Sequence, residues 1–108
     1  MKSHGSLLGL SGQYKGETID IPAGEEINIG RGASTSHIVM YEDSGIISRR
    51  HCGVQYNPLD GTYSITDYSK NGIFREDGSS LPQGVQVTLP RGTVIILGSR
   101  QTASFRLE

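Results

Sequence analysis

Apolar residues recur at every second position along most of the chain: Leu8 and Leu10, Ile19 and Ile21, Ile27 and Ile29, Val54 and Tyr56, Tyr63 and Ile65, Val85, Val87 and Leu89, Phe105 and Leu107. A period of two puts alternate side chains on opposite faces of an extended strand, one face toward a core and the other toward water. No window carries the i, i+3, i+4, i+7 spacing of an amphipathic helix. The chain is thereby directed to an all-β architecture. Turn formers fill the intervals: Gly24-Glu25-Glu26, Asn57-Pro58-Leu59-Asp60-Gly61, Lys70-Asn71-Gly72, Asp77-Gly78-Ser79-Ser80, Pro82-Gln83-Gly84 and Pro90-Arg91-Gly92. Many short strands at close spacing predict a sandwich or barrel. The 15 glycines among 108 residues suit it, because tight turns need residues that tolerate positive φ.

The clearest hairpin is Cys52 to Asn57 paired with Thr62 to Asp67, joined by a connection that ends in Asp60-Gly61. Val94-Ile95-Ile96-Leu97 is continuously aliphatic and predicts an interior strand buried on both faces. At 108 residues there is room for one domain with its own core. Repeats, low-complexity tracts and linkers are not evident. Residues 1–6 are expected to be a disordered start or a cloning remnant, and 7–107 a single domain.

Composition narrows the partners. A net charge of -1 excludes a broadly basic surface made for nucleic acid, so any anion site must be local. The longest aliphatic run, Val94 to Leu97, falls far short of the ~20 residues of a membrane-spanning helix. Leu7-Leu8-Gly9-Leu10 is too short for the core of a signal peptide, and a cytoplasmic protein is expected. The lone Cys52 cannot form an internal disulfide, which is compatible with a reducing compartment.

Two stretches, Gly30 to His37 and Asp43 to His51, are longer and more polar than a sandwich turn requires, and such loops are where binding residues are to be sought. Arg31 follows the strand Glu26 to Ile29. Ser48, Arg49 and Arg50 close the next loop, just ahead of the strand that begins at Cys52, and Lys70-Asn71-Gly72 follows the strand that ends at Asp67. If adjacent strand ends bring these loops together, guanidinium, hydroxyl, ammonium and carboxamide groups converge. Such a set lacks a general base near a nucleophile but is rich in fixed donors. A phosphothreonine, with roughly -1.5 to -2 charge and three acceptor oxygens, requires donors of this kind. Arginine offers a planar fork and serine a short hydroxyl contact, both strengthened by the ligand's charge.

Gly30-Arg31, then Ser48-Arg49-Arg50-His51, then Asp67-Tyr68-Ser69-Lys70-Asn71-Gly72 resemble the forkhead-associated (FHA) domain family, whose Gly-Arg, Ser-x-x-His and Ser-x-Asn-Gly segments occur in this order. The resemblance runs from Leu7 to Leu107. It implies an all-β sandwich of about eleven short strands, of the SMAD/FHA type, with binding loops at one end. It also implies a phosphothreonine-peptide recognition module that mediates phosphorylation-dependent protein-protein interaction, with an upstream Ser/Thr kinase and without catalysis, cofactor or metal. By position, Arg31 is similar to the family's phosphate-binding arginine, Ser48 to its hydroxyl donor and Arg49 to a further phosphate contact. Lys70 is placed to reach phosphate through its backbone N–H or its ammonium, and Asn71 to hold the peptide main chain. Gly30, His51, Ser69 and Gly72 are implied to support the site, His51 by bracing the loops and Gly72 by adopting positive φ. Asp67 and Ser69 are expected to shape their loop through local side-chain-to-backbone bonds.

The chain departs from the family pattern in places. Ile73-Phe74-Arg75-Glu76 follows Asn71-Gly72 where the family often has Thr and a second Asn-Gly, leaving Asp77-Gly78 as the substitute turn. Gly92-Thr93 stands where an Asp often precedes the last strands. Ile46, two residues before Ser48, is neutral and gives no reason to expect an acidic preference three residues after the phosphothreonine.

Other chemistries are less well supplied. Ser48, His51 and Asp67 have the residue types of a hydrolytic triad, but Ser48 lacks the Gly-x-Ser-x-Gly elbow. His4, His37, His51 and Cys52 lack zinc-ligand spacing. Glu42, Asp43, Glu76 and Asp77 would oppose a nucleic-acid track through Arg49 and Arg50. The chief alternative is a phosphorylation-independent interaction module on the same fold, whose binding would survive loss of Arg31 and Ser48.

Overall fold

The computed structural model describes residues 4–41, 45–99 and 102–108. These form ten strands: β1 (His4–Gly12), β2 (Thr18–Pro22), β3 (Ile27–Gly30), β4 (Ile38–Val39), β5 (Cys52–Asn57), β6 (Thr62–Asp67), β7 (Ile73–Phe74), β8 (Gln86–Leu89), β9 (Val94–Leu97) and β10 (Ala103–Leu107). They build two five-stranded sheets, ordered β2-β1-β10-β9-β7 and β4-β3-β5-β6-β8. The all-β class is as the alternation predicts, with ten strands among the described residues where about eleven were expected.

The core lies between the sheets. Leu7, Ile21, Ile95, Leu97, Phe105 and Leu107 of the first sheet share one buried cluster with Ile27, Ile29, Val54, Tyr56, Tyr63 and Ile65 of the second. Burying each such side chain contributes about 1.5–3 kcal/mol. The β5–β6 hairpin has the predicted limits, with Cys52 opposite Asp67 and Asn57 opposite Thr62. At its tip, Asp60 accepts from the Thr62 N–H and hydroxyl, and Gly61 takes a φ of +74°. All four residues of β9 are buried, and β10 and β7 flank it on either side.

Three expectations are corrected. In β1 it is Leu7 that is fully buried, while Leu8 and Leu10 are only partly so. Leu7 and Leu8 are both apolar, so spacing alone leaves the face undecided. The register opposite Ile19 and Leu107 sets it, with an irregularity between Gly9 and Ser11. His4, Gly5 and Ser6 are not frayed but pair with Pro22, Ile21 and Asp20; residues 1–3 lie outside the described residues. Val85 is 52% exposed because the ladder with β6 begins one residue later, at Gln86 opposite Thr66.

One feature of register positions the loops. Ile29 pairs with Cys52, and Cys52 with Asp67, so the end of β3, the start of β5 and the end of β6 stand side by side. The β3–β4, β4–β5 and β6–β7 loops therefore emerge at the same end of the sandwich.

Candidate functional site

At that end the backbone first fastens the loops to one another. Arg31 and Gly32 donate their N–H groups to the carbonyls of Ser48 and Arg49, and His51 donates to Ile29. Gly30 is required by this approach: a Cβ there would collide with the Arg49 carbonyl and stand 2.8 Å from Ser36 Oγ. The Arg31 Nε donates to the Ile47 carbonyl at 2.9 Å, which fixes the plane of the guanidinium. No described residue accepts from its Nη groups.

A closed set of hydrogen bonds joins the β4–β5 and β6–β7 loops. His51 is fully buried. Its Nδ1 accepts from the Ser48 N–H at 3.1 Å, so the ring proton sits on Nε2, which donates to the Gly72 carbonyl at 2.9 Å. The Gly72 N–H donates to Ser69 Oγ at 2.7 Å, and Ser69 Oγ donates to Asp67 at 2.5 Å. From the adjacent residue, the Lys70 N–H donates to Ser48 Oγ at 3.0 Å and closes the set. Gly72 holds a φ of +98°, the left-handed region that glycine enters without a Cβ clash.

These bonds decide what each side chain has left to offer. A serine hydroxyl accepts and also donates. Ser48 Oγ accepts from Lys70, so its own proton is free to point outward, and no described residue takes it. The Lys70 N–H is engaged inside the protein, which removes one of the two routes expected for it and leaves the exposed ammonium. Asn71 differs from expectation in a similar way: its Nδ2 donates to the Gly45 and Ile46 carbonyls at 3.3 and 2.9 Å, so the carboxamide donor holds the protein's own loop. Oδ1 is the atom left for a ligand. Arg49 is exposed, and its carbonyl accepts from Gly32 N, Thr35 Oγ1 and Ser36 Oγ at 3.1, 3.1 and 2.8 Å.

Neighbouring Arg50 is engaged elsewhere. Its guanidinium donates to Asn28 Oδ1 at 2.9 Å and to Glu26 at 2.8 Å, and lies 3.7 Å over the ring of Tyr68. Tyr68 in turn donates its hydroxyl to Glu26 at 2.9 Å. Burial, then the bond and charge of Glu26, raise the Tyr68 pKa. This clasp, which the sequence did not signal, ties the residue after Arg49 to the residue before Ser69. A clue was present in hindsight: Gly53 between them leaves room for Glu26 and Tyr68 to cross the strand.

Ser48, His51 and Asp67 are bonded in an order other than that of a hydrolytic triad. His51 faces the Ser48 backbone rather than its hydroxyl, and Asp67 faces Ser69 rather than His51. Among the described residues no cluster of His, Cys, Asp and Glu could hold a metal ion. Cys52 is fully buried, and burial, aided by the charges of Asp67 and Glu26, pushes its thiol pKa well up, so it stays protonated. What the loops bring to one end instead are Arg31, Ser48, Lys70 and Asn71, with the Arg31 Nη groups and the Ser48 hydroxyl proton not taken up by any described residue.

Comparison with known proteins bears on the family and the fold. The FHA domain family model matches residues 27–98. The chain is 34% identical over 99 residues to E3 ubiquitin-protein ligase RNF8 of Mus musculus, covering 85% of this chain and 20% of that protein. It thus spans about one fifth of that relative's length. Among solved structures, it is similar to the FHA domain of CT664 protein from Chlamydia trachomatis, at 27% identity and a TM-score of 0.80 over 97% of this chain and 96% of that one. The N-terminal FHA domain of S. cerevisiae Rad53p, solved with a phosphothreonine peptide, shares the fold at 17% identity and a TM-score of 0.75, over 96% of this chain and 91% of that one.

Proposed function

Because the chain belongs to the forkhead-associated (FHA) domain family, we propose that it is a phosphothreonine-peptide recognition module that mediates phosphorylation-dependent protein-protein interaction without catalysis. The observation that carries this reading is the convergence of Arg31, Ser48, Arg49, Lys70 and Asn71 at one end of the sandwich, with donors left over after the loops have been fastened. A domain of the same fold, that of Rad53p, holds a phosphothreonine peptide.

In this assignment the Arg31 Nη groups fork onto two phosphate oxygens and the Ser48 hydroxyl donates to the third, with Arg49 and the Lys70 ammonium adding charge. Asn71 Oδ1 accepts from a peptide N–H, fixing the main chain without reading side chains. His51, Ser69, Gly72 and Gly30 hold these groups in place, which lowers the ordering cost on binding. The partner is a phosphothreonine-containing protein made by an upstream Ser/Thr kinase, met in the cytoplasm. Affinity falls below pH ~6, where the phosphate takes up its second proton.

Titrating one peptide library in phosphothreonine, phosphoserine and unmodified forms tests the proposal. Preference for the phosphothreonine form is expected. Equal binding of all three overturns it in favour of a phosphorylation-independent module.

A further inference from the structure

The β3–β4 loop carries three consecutive hydroxyl residues, Ser34, Thr35 and Ser36, between Arg31 and β4. Thr35 is exposed, yet its hydroxyl is not idle: Oγ1 lies 3.3 Å from the Gly32 carbonyl and 3.1 Å from the Arg49 carbonyl. The same oxygen is 2.6 Å from where a Cβ on Gly32 would stand, and Arg49 Cβ is 3.1 Å from that point. Thr35 Oγ1 and the root of the Arg49 side chain therefore flank Gly32, the residue that follows Arg31. An anion attached to Thr35 would sit beside the backbone and Cβ of Arg49, a residue that the proposed function assigns to the ligand's phosphate.

We propose that Thr35 is a regulatory phosphoacceptor whose phosphate occupies the anion pocket in cis and closes it to peptide; this rests on the phosphopeptide reading above. In the modification step, Thr35 Oγ1 attacks the γ-phosphorus of ATP held by a Ser/Thr protein kinase. The Oγ1–P bond forms, the P–O bond to ADP breaks, and the hydroxyl proton passes to the kinase's base. Two effects then act in the same direction. The hydroxyl proton that bridged the Gly32 and Arg49 carbonyls is gone, and a dianion against those carbonyl oxygens is repelled, so the loop re-sorts. The arginine side chains then meet a tethered phosphate, whose effective concentration exceeds that of a free peptide because the loop cannot carry it away.

The test uses the whole domain, unmodified and with phosphothreonine placed at position 35 by semisynthesis, with Thr35→Ala as the control for simple loss of the hydroxyl. The probe is the tightest member of a phosphothreonine peptide library, labelled with a fluorophore. About tenfold or greater weakening is expected for the phosphorylated domain, and a much smaller change for Thr35→Ala. Phosphorus NMR should show the Thr35 phosphate titrating below the ~6 of a free phosphothreonine, and Arg49→Ala should move it back. Incubation of the folded domain with ATP and a panel of Ser/Thr kinases should place phosphate on Thr35 by mass spectrometry. Equal peptide affinity with and without the Thr35 phosphate, an unshifted phosphate titration, or Thr35 left unmodified throughout the panel overturns the inference while leaving the peptide-binding reading intact. An unmodified domain that binds no library member overturns the parent reading itself.

Discussion

At the scale of single residues, the site separates groups that hold from groups that reach out. The side chains of Arg31 and Ser48 each make one bond to a described residue and retain a donor, so each is expected to matter for ligand more than for fold. Substituting either by alanine should cost about 1.5–3 kcal/mol of binding, the range for hydrogen bonds to charged groups. That corresponds to roughly ten- to hundredfold in Kd by calorimetry, with a midpoint of thermal unfolding close to that of the parent. Unchanged affinity in Arg31→Ala would remove it from the assignment. His51 is the opposite kind of residue. It is fully buried between the Ser48 N–H and the Gly72 carbonyl. His51→Ala leaves both groups unpaired at about 1–3 kcal/mol apiece, which should lower stability in urea titrations as well as affinity.

At the scale of elements, short strands position the pocket and the segments between them finish it. The Arg50–Glu26–Tyr68 clasp lies outside the pocket but links the β4–β5 and β6–β7 loops across β5. An exposed ion pair contributes about 0.2–1 kcal/mol, and an exposed cation–π contact about 0.5–1. Arg50→Ala should therefore weaken peptide binding by about three- to thirtyfold. Arg50→Lys should not restore it, since an ammonium lacks the planar fork and stacks less well. Full restoration by lysine, read in the same fluorescence titration, would show that long-range charge rather than positioning is at work.

At the scale of the whole molecule, stability depends on pH through its phenol and thiol groups. Tyr14, Tyr63, Tyr68 and Cys52 all have raised pKa values, with burial as the leading cause in each. A folded-state value above the unfolded one means that the neutral form is favoured by folding. The contribution is complete below the unfolded values, about 8.5 for Cys and 10 for Tyr, and is lost as pH rises beyond them. Unfolding free energy from urea titrations should accordingly decline between about pH 8.5 and 11, and Tyr63→Phe should flatten part of the slope. A level profile across that range would contradict it.

Fold class and hairpin limits were legible because a period of two admits only strands, and because Asp60-Gly61 marks a turn at a definite place. The polar loops that meet at one end were legible too, since donor-rich segments stand out from an alternating background. Spacing does not specify which face two adjacent leucines present, so Leu7 rather than Leu8 awaited the pairing of β1 with β2 and β10. Nor does it say which donors are already engaged. The Lys70 N–H, the Asn71 amide and the Arg50 fork look available in sequence, and only when loops far apart in the chain meet do Ser48, Ile46 and Glu26 take them up. Hydrogen-bond capacity belongs to a residue type, but its remainder belongs to the assembled site, because each bond made within the protein removes one that a ligand could have had.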